Sequence, residues 1–338
     1  MNTTTLYPLK FDPIYQYRIW GGRRLGSLLE KPLPKNDPVG EAWILSDRKD
    51  HASKVVDGGL KGKTISELFL NHQQLLMGNL SDKFDRFPLL LKFLDCQQVL
   101  SVQVHPADKL KAYIPNGEHG KTEAWVVLDA GEDATIYAGL KAGTNAEKIK
   151  TDLTKNSVAD DLASFKPKPG DSILIRAGTV HTLNDVVVFE VQQNSDVTYR
   201  LYDWDRIDGK TGKPRALQVK QALTCIDFSM TELQPVITKI ISNVPVLHED
   251  IIDDTHFKLG RITGEYPFMT GKDKAPCVLV CIEGEGEVES GDELYPLAKG
   301  EVMLLPACVG KCPFIPKGEV TVLEITIPEG ISKQTSRL

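Results

Sequence analysis

Residues 170–181 read GDSILIRAGTVH: a glycine, five residues of strand character, a short turn, two more residues and a histidine. The same rhythm returns at 300–311 as GEVMLLPACVGK, with a lysine where the first copy has its histidine. A glycine turn, a short apolar run and a second turn describe a strand entering and leaving a β-sheet. Two copies in one chain point to an internal repeat of one β-sandwich unit. Only the first copy ends on a ligand-type side chain. The second has the scaffold without the ligand.

Working outward, short strands dominate on both sides: PLLLKFLD (88–95), LSVQVHP (100–106), EAWVVLDA (123–130), ATIYAGL (134–140), VVVFEVQQ (186–193) and PCVLVCIEGEGEVESG (276–291). Many short strands between Gly-rich turns predict a mainly β sandwich or barrel. Helices are few. Thr64 and Glu67 form a capping box ahead of a stripe of Ile65, Leu68, Phe69, Leu75 and Leu76, which predicts a helix over 64–78. A second box, Thr144 to Glu147, predicts a helical stretch running with interruptions to about 165, and ALQVKQALTCID (216–227) a third helix. The Pro/Gly/Arg-rich first forty residues read as irregular structure with short strands, and 41–57 as strands around SDRKDH. The last helix gives way to uninterrupted β pattern near 235, which divides the chain into domains 1–235 and 236–338.

The 338 residues, 41% hydrophobic and 25% charged, supply a real core. A net charge of −6 argues against nucleic acid or an anionic membrane as a general partner, while leaving room for a small anionic substrate in a local basic pocket. The N-terminus has no signal-peptide core and no stretch approaches a membrane span, so the cytoplasm is the expected compartment. The six cysteines include two CxxxC pairs, Cys277/Cys281 and Cys308/Cys312, which lack zinc-finger spacing and read as small buried hydrophobes.

Side chains alternate across a strand, so Gln103 and His105 in QQVLSVQVHP (97–106) point to one side. Glu123 and His181 come from neighbouring β segments. Two imidazoles, a carboxylate and an amide oxygen make an N/O site for zinc or another divalent first-row metal.

The spacing G(x)5RAG(x)2H is close to the second cupin motif, with Arg176 in the usual proline position. More specifically, PLLLKFLDCQQVLSVQVHPAD (88–108), GKTEAWVVLDA (120–130), AGTVHTL (177–183) and QNSDVTYRLYDWDR (193–206) resemble the type I mannose-6-phosphate isomerases. WGGRRLG (20–26) and VGEAWILSD (39–47) fit as well, so the resemblance spans about 20 to 330. It implies two cupin (jelly-roll) domains, the second degenerate and metal-free. It implies one Zn2+ per chain on Gln103, His105, Glu123 and His181, a catalytic Arg200, and interconversion of mannose 6-phosphate and fructose 6-phosphate through an enediolate. The family's helical insertion is short here, which leaves the cleft more open. Its usual asparagine–histidine before the lysine is replaced by His119-Gly120.

Lys121, two residues before Glu123, shares that residue's face. A metal nearby would push its pKa down toward a useful base. Ser101 faces the same interior as Gln103, and Lys92 is a charge in an apolar run, so both are expected to bind substrate. The competing readings are a metal cupin acting on another sugar phosphate, an iron dioxygenase, which Gln103 in the place of a histidine disfavours, and a sugar-phosphate-binding regulator without turnover. The partner expected is a small sugar phosphate, on a monomer or weak homo-oligomer.

Overall fold

The computed structural model describes residues 6–35 and 37–334. Among these, the strands form three sheets. The largest contains nine strands, labelled here β1 (Ile14–Gly22), β2 (Val39–Leu45), β3 (Leu89–Cys96), β4 (Val102–Val104), β5 (Glu123–Leu140), β6 (Leu162–Phe165), β7 (Ser172–Ile175), β8 (His181–Gln193) and β9 (Tyr199–Tyr202). Its order is β9-β4-β8-β3-β2-β1, with β5 pairing β6, β7 and β8 to curl the sheet on itself. The strands β2 and β3 are buried along their whole length, as expected of the apolar runs VGEAWIL and LLLKFLDC. The other two sheets, of seven and four strands, form the C-terminal part. The mainly β, cupin-like architecture with a small helical part is therefore present.

The two copies of the repeat keep the same spacing in the fold. Ser172–Ile175 and Val302–Leu305 start two residues after Gly170 and Gly300, whose φ of +92° and +79° lie in the left-handed region that glycine tolerates. His181 is buried, whereas Lys311 is exposed and 4.0 Å from Asp273. The sheets are not independent. Leu9–Lys10 pairs with Val302–Leu305 in the C-terminal sheet, and one hydrophobic cluster joins Leu45, Leu76 and Phe189 to Leu304 and Ile325.

The helix Ile65–Met77 carries its complete capping box at Thr64 and Glu67, though Leu75 is half-exposed and lies off the buried stripe. The second helix, Ala146–Leu153, differs from expectation: its cap is Asn145, whose side chain accepts from Lys148 N, and Thr144 plays no such part. It also ends at Leu153. Past a short 3-10 turn, residues 162–165 are strand β6, paired with β5. The third helix is confined to Val219–Cys225. All six cysteines are free, and all but Cys308 are buried. No helix among the described residues is long and apolar enough to cross a membrane.

Candidate metal centre and cleft

Register places the chemistry. Arg200 lies opposite Gln103 across β9 and β4, and Gln103 lies opposite His181 across β4 and β8. Directly opposed residues share a face, so these three form one row. A second row runs through Trp43, Lys92, Glu190 and Trp125 across β2, β3, β8 and β5. Arg200 and Gln103 of the first row and Lys92, Glu190 and Trp125 of the second line a cleft of about 420 Å³.

His105, Glu123 and His181, in contact with the cleft residues Lys121 and Gln103, converge in the interior, all buried, with their ligand atoms within 4.8 Å of one another. His105 Nε2 is 3.5 Å from Glu123 Oε2, and His181 Nε2 is 3.3 Å from Glu123 Oε1. Both imidazoles are oriented from behind. His105 Nδ1 lies 2.8 Å from Val197 O and His181 Nδ1 2.9 Å from Thr179 O, so each Nδ1 carries the proton and each Nε2 offers its lone pair inward. Buried His105 Nε2 has no hydrogen-bond partner, and Glu123 Oε2 is met by the Lys121 ammonium at 3.0 Å. Gln103 joins the cluster through its amide nitrogen, Nε2, which donates to His181 Nε2 at 3.2 Å, while the amide oxygen expected as a ligand accepts from Ser101 Oγ at 3.3 Å. Two neutral imidazoles and a carboxylate converging within 4.8 Å, with an amide beside them, fit a divalent ion with N/O preference.

Electrostatics agree with that fit. Burial, reinforced by Lys121, pulls the His105 pKa down to about 4, so the ring is a neutral donor. Burial alone would raise the Glu123 carboxyl, but Lys121 and His105 outweigh it and hold it well below the ordinary range. Lys121 is buried with Nζ 3.0 Å from Glu123 Oε2. Among protein groups alone its pKa stands above the usual lysine value, because Glu123, Glu190 and Asp196 overcome the effect of burial. The depression expected from the sequence requires the opposing charge of a dication on Glu123.

Arg200 is in the cleft without a carboxylate partner among the described residues. Its Nη1 donates to Ala216 O at 2.9 Å, and its Nε is buried and unpartnered. The acids that would have neutralised it are engaged elsewhere. Asp203 is held by Arg206 and Arg215, and Asp205 by Asn156 and Tyr202. Burial, then repulsion from Arg215, presses Arg200 down to about 10, which leaves it a cation at neutral pH.

Lys92 is buried on the same wall, but it is no free cation. Its Nζ lies 3.4 Å from Glu190 Oε1, 3.8 Å from Glu41 Oε2 and 3.9 Å from Asp196 Oδ1. Sequence reasoning passed over Glu190, Glu41 and Arg18. Glu190 also accepts from Trp125 Nε1 at 2.9 Å, and burial together with nearby Glu123 raises its pKa. Glu41 takes a two-pronged contact from Arg18 at 2.8 and 3.0 Å. An acid inside the apolar run VVVFEVQQ is the same signal that singled out Lys92, and it marks Glu190 equally well.

The family model described as the catalytic domain of type I phosphomannose isomerase matches residues 8–125. A mannose-6-phosphate isomerase of Bacillus subtilis is 39% identical over 312 residues, covering 91% of this chain and 95% of that protein. One from Streptococcus mutans is 34% identical over 313 residues, covering 88% and 92%. The crystal structure of mannose 6-phosphate isomerase from Bacillus subtilis aligns with a TM-score of 0.87 at 31% identity, covering 95% of this chain and all of that one.

Proposed function

This chain belongs to the type I phosphomannose isomerases, and on that premise we propose that it interconverts D-mannose 6-phosphate and D-fructose 6-phosphate with one zinc ion held by Gln103, His105, Glu123 and His181. The observation that carries the metal assignment is the convergence of buried His105, Glu123 and His181, whose ligand atoms lie within 4.8 Å of one another, with His105 Nε2 left without a hydrogen-bond partner. A bound divalent ion supplies Lewis acidity toward the sugar oxygens and a fixed point for their orientation.

The chain's own residues supply the rest. Moving the carbonyl between C1 and C2 requires a proton to leave the carbon α to the carbonyl, an enediolate to be tolerated, a proton to return to the neighbouring carbon, and the hydroxyl proton to pass from one of the two oxygens to the other. Lys121 is assigned that transfer: it is titratable, lines the cleft and stands 3.0 Å from Glu123. Arg200, in the row beside Gln103 and unneutralised, stabilises the negative charge that develops on oxygen. Ser101 and Lys92 face the substrate from the cleft wall. Because three carboxylates already share the Lys92 ammonium, a phosphate there competes with them, and Lys92 acts on the substrate together with Glu190 and Glu41.

The test is conversion of mannose 6-phosphate by purified protein, before and after a chelator, with zinc added back. Loss with the chelator and recovery with zinc is the expected result. No turnover from protein carrying one equivalent of zinc would discard this substrate while keeping the metal site.

A further inference from the structure

His256 lies in the turn between the C-terminal strands Leu247–Asp253 and Lys258–Gly264. Its ring joins two carboxylates from different parts of the fold. Nδ1 is 2.8 Å from Asp254 Oδ1 in its own turn, and Nε2 is 3.4 Å from Asp108 Oδ2 in the loop between β4 and β5. Behind Asp254 stands Arg176, whose Nε is 3.4 Å from Asp254 Oδ2. The residue that departs from the cupin motif's proline thus anchors the same contact. Charges alternate along Arg176, Asp254, His256 and Asp108. Burial alone would lower the His256 pKa, but Asp108 and Asp254 outweigh it and hold it at about 9, so the ring is a cation at neutral pH.

Asp108 passes this contact to the backbone around Lys121. Its Oδ1 accepts from Gly120 N at 2.7 Å, and its Oδ2 accepts from Gln193 Nε2 at 3.0 Å. Gln193 Oε1 in turn accepts from Thr122 N at 2.8 Å. Lys121 N itself donates to Pro106 O at 3.1 Å. Three consecutive amides, 120 to 122, are therefore fixed, two of them by side chains of one network. Gly120 is required for it, since a Cβ there would sit 2.6 Å from Asp108 N.

We propose that His256, acting through Asp108, is a positioning residue for Lys121, so that the C-terminal domain sets the geometry of proton transfer in a site to which it contributes no ligand. The inference rests on the assignment of that transfer to Lys121. A strut that only stabilised the fold would change metal content, KM and kcat together. A positioning residue acts on kcat, and only while Lys121 is present.

The experiment is a double-mutant cycle on the zinc-loaded enzyme with His256→Ala, Lys121→Ala and the double variant, reading kcat, KM and bound zinc. His256→Ala is expected to keep one equivalent of zinc and a KM near that of the unaltered enzyme, and to lose roughly ten- to a hundredfold in kcat. His256→Gln, which retains an N–H donor toward Asp108, is expected to recover most of it. In the Lys121→Ala background, His256→Ala should change kcat by less than about twofold. An equal loss in both backgrounds, or an unchanged kcat in folded His256→Ala, overturns the positioning role alone. A Lys121→Ala enzyme with undiminished kcat overturns the assignment of Lys121 and the positioning role with it. Should His256→Ala fail to fold, Asp108→Asn takes its place in the same cycle and the same outcomes decide, because it keeps an acceptor for Gly120 N and gives up the charge facing His256.

Discussion

Gln103 and His105 share a face because a strand alternates, and the carbonyls of Val197 and Thr179 decide which nitrogen each imidazole presents. That division of labour separates the two imidazoles from Arg200, whose guanidinium is held by Ala216 and whose amide donates to Gln218. Alanine at His105 or His181 is therefore expected to remove both metal and activity, as read by metal analysis and turnover on the same sample. Alanine at Arg200 is expected to leave one equivalent of zinc and lower kcat by about a hundred- to a thousandfold. Metal retained by both histidine variants would break the ligand assignment. That Gln103 and His105 share a face was legible because spacing within a strand is a local property, whereas Glu123 and His181 come from other strands and were brought in as candidates beside them. The acids facing Lys92 were not, since Glu41, Glu190 and Asp196 reach it only through pairings between β2, β3 and β8 that no local pattern specifies.

Elements whose signals are local came out as read, and those that tertiary contacts claim did not. Helix Ile65–Met77 is fixed by Thr64 and Glu67, each satisfying the other's amide. Thr64→Ala is expected to cost about 1 kcal/mol in urea unfolding with an unchanged m-value and unchanged kcat, the site lying elsewhere. The second capping box fails because Asn145, one residue on, is the cap actually used, which moves Glu147 off the third helical position. Residues 216–218 stay out of the third helix for a reason that belongs to the site: Ala216 O holds the Arg200 guanidinium and Gln218 Oε1 accepts from Arg200 N. A helix turn there would have taken the Ala216 carbonyl back.

Across the molecule, the repeat of 170–181 at 300–311 foretold a second β unit, but two of the contacts that unite the units were illegible. One is the two-residue strand Leu9–Lys10, too short to carry a pattern, which crosses to Val302–Leu305. The other is the chain of charges from Arg176 to Asp108. That chain gives the protein's stability a pH signature whose sign follows from linkage. His256 has a folded pKa of about 9 against an ordinary 6.5, so its contribution is complete below about pH 6.5 and is lost as pH rises through 9. Asp108 has the opposite sense: burial would raise it, but His256 and Gly120 N bring it to about 2 from 3.8, so its contribution holds above 3.8 and is lost as pH falls through 2. The contact is thus whole between mildly acidic and neutral pH. The difference in unfolding free energy between the unaltered protein and His256→Gln isolates the histidine from every other titrating group. It is expected to be on the order of 2 kcal/mol and flat from pH 5 to 6.5, then to shrink toward pH 10. A difference that stayed constant across that range would mean that the ring is held by packing and carries no charge between the two carboxylates. A difference that grew with pH would require His256 to be neutral in the fold, which its place between Asp108 and Asp254 forbids.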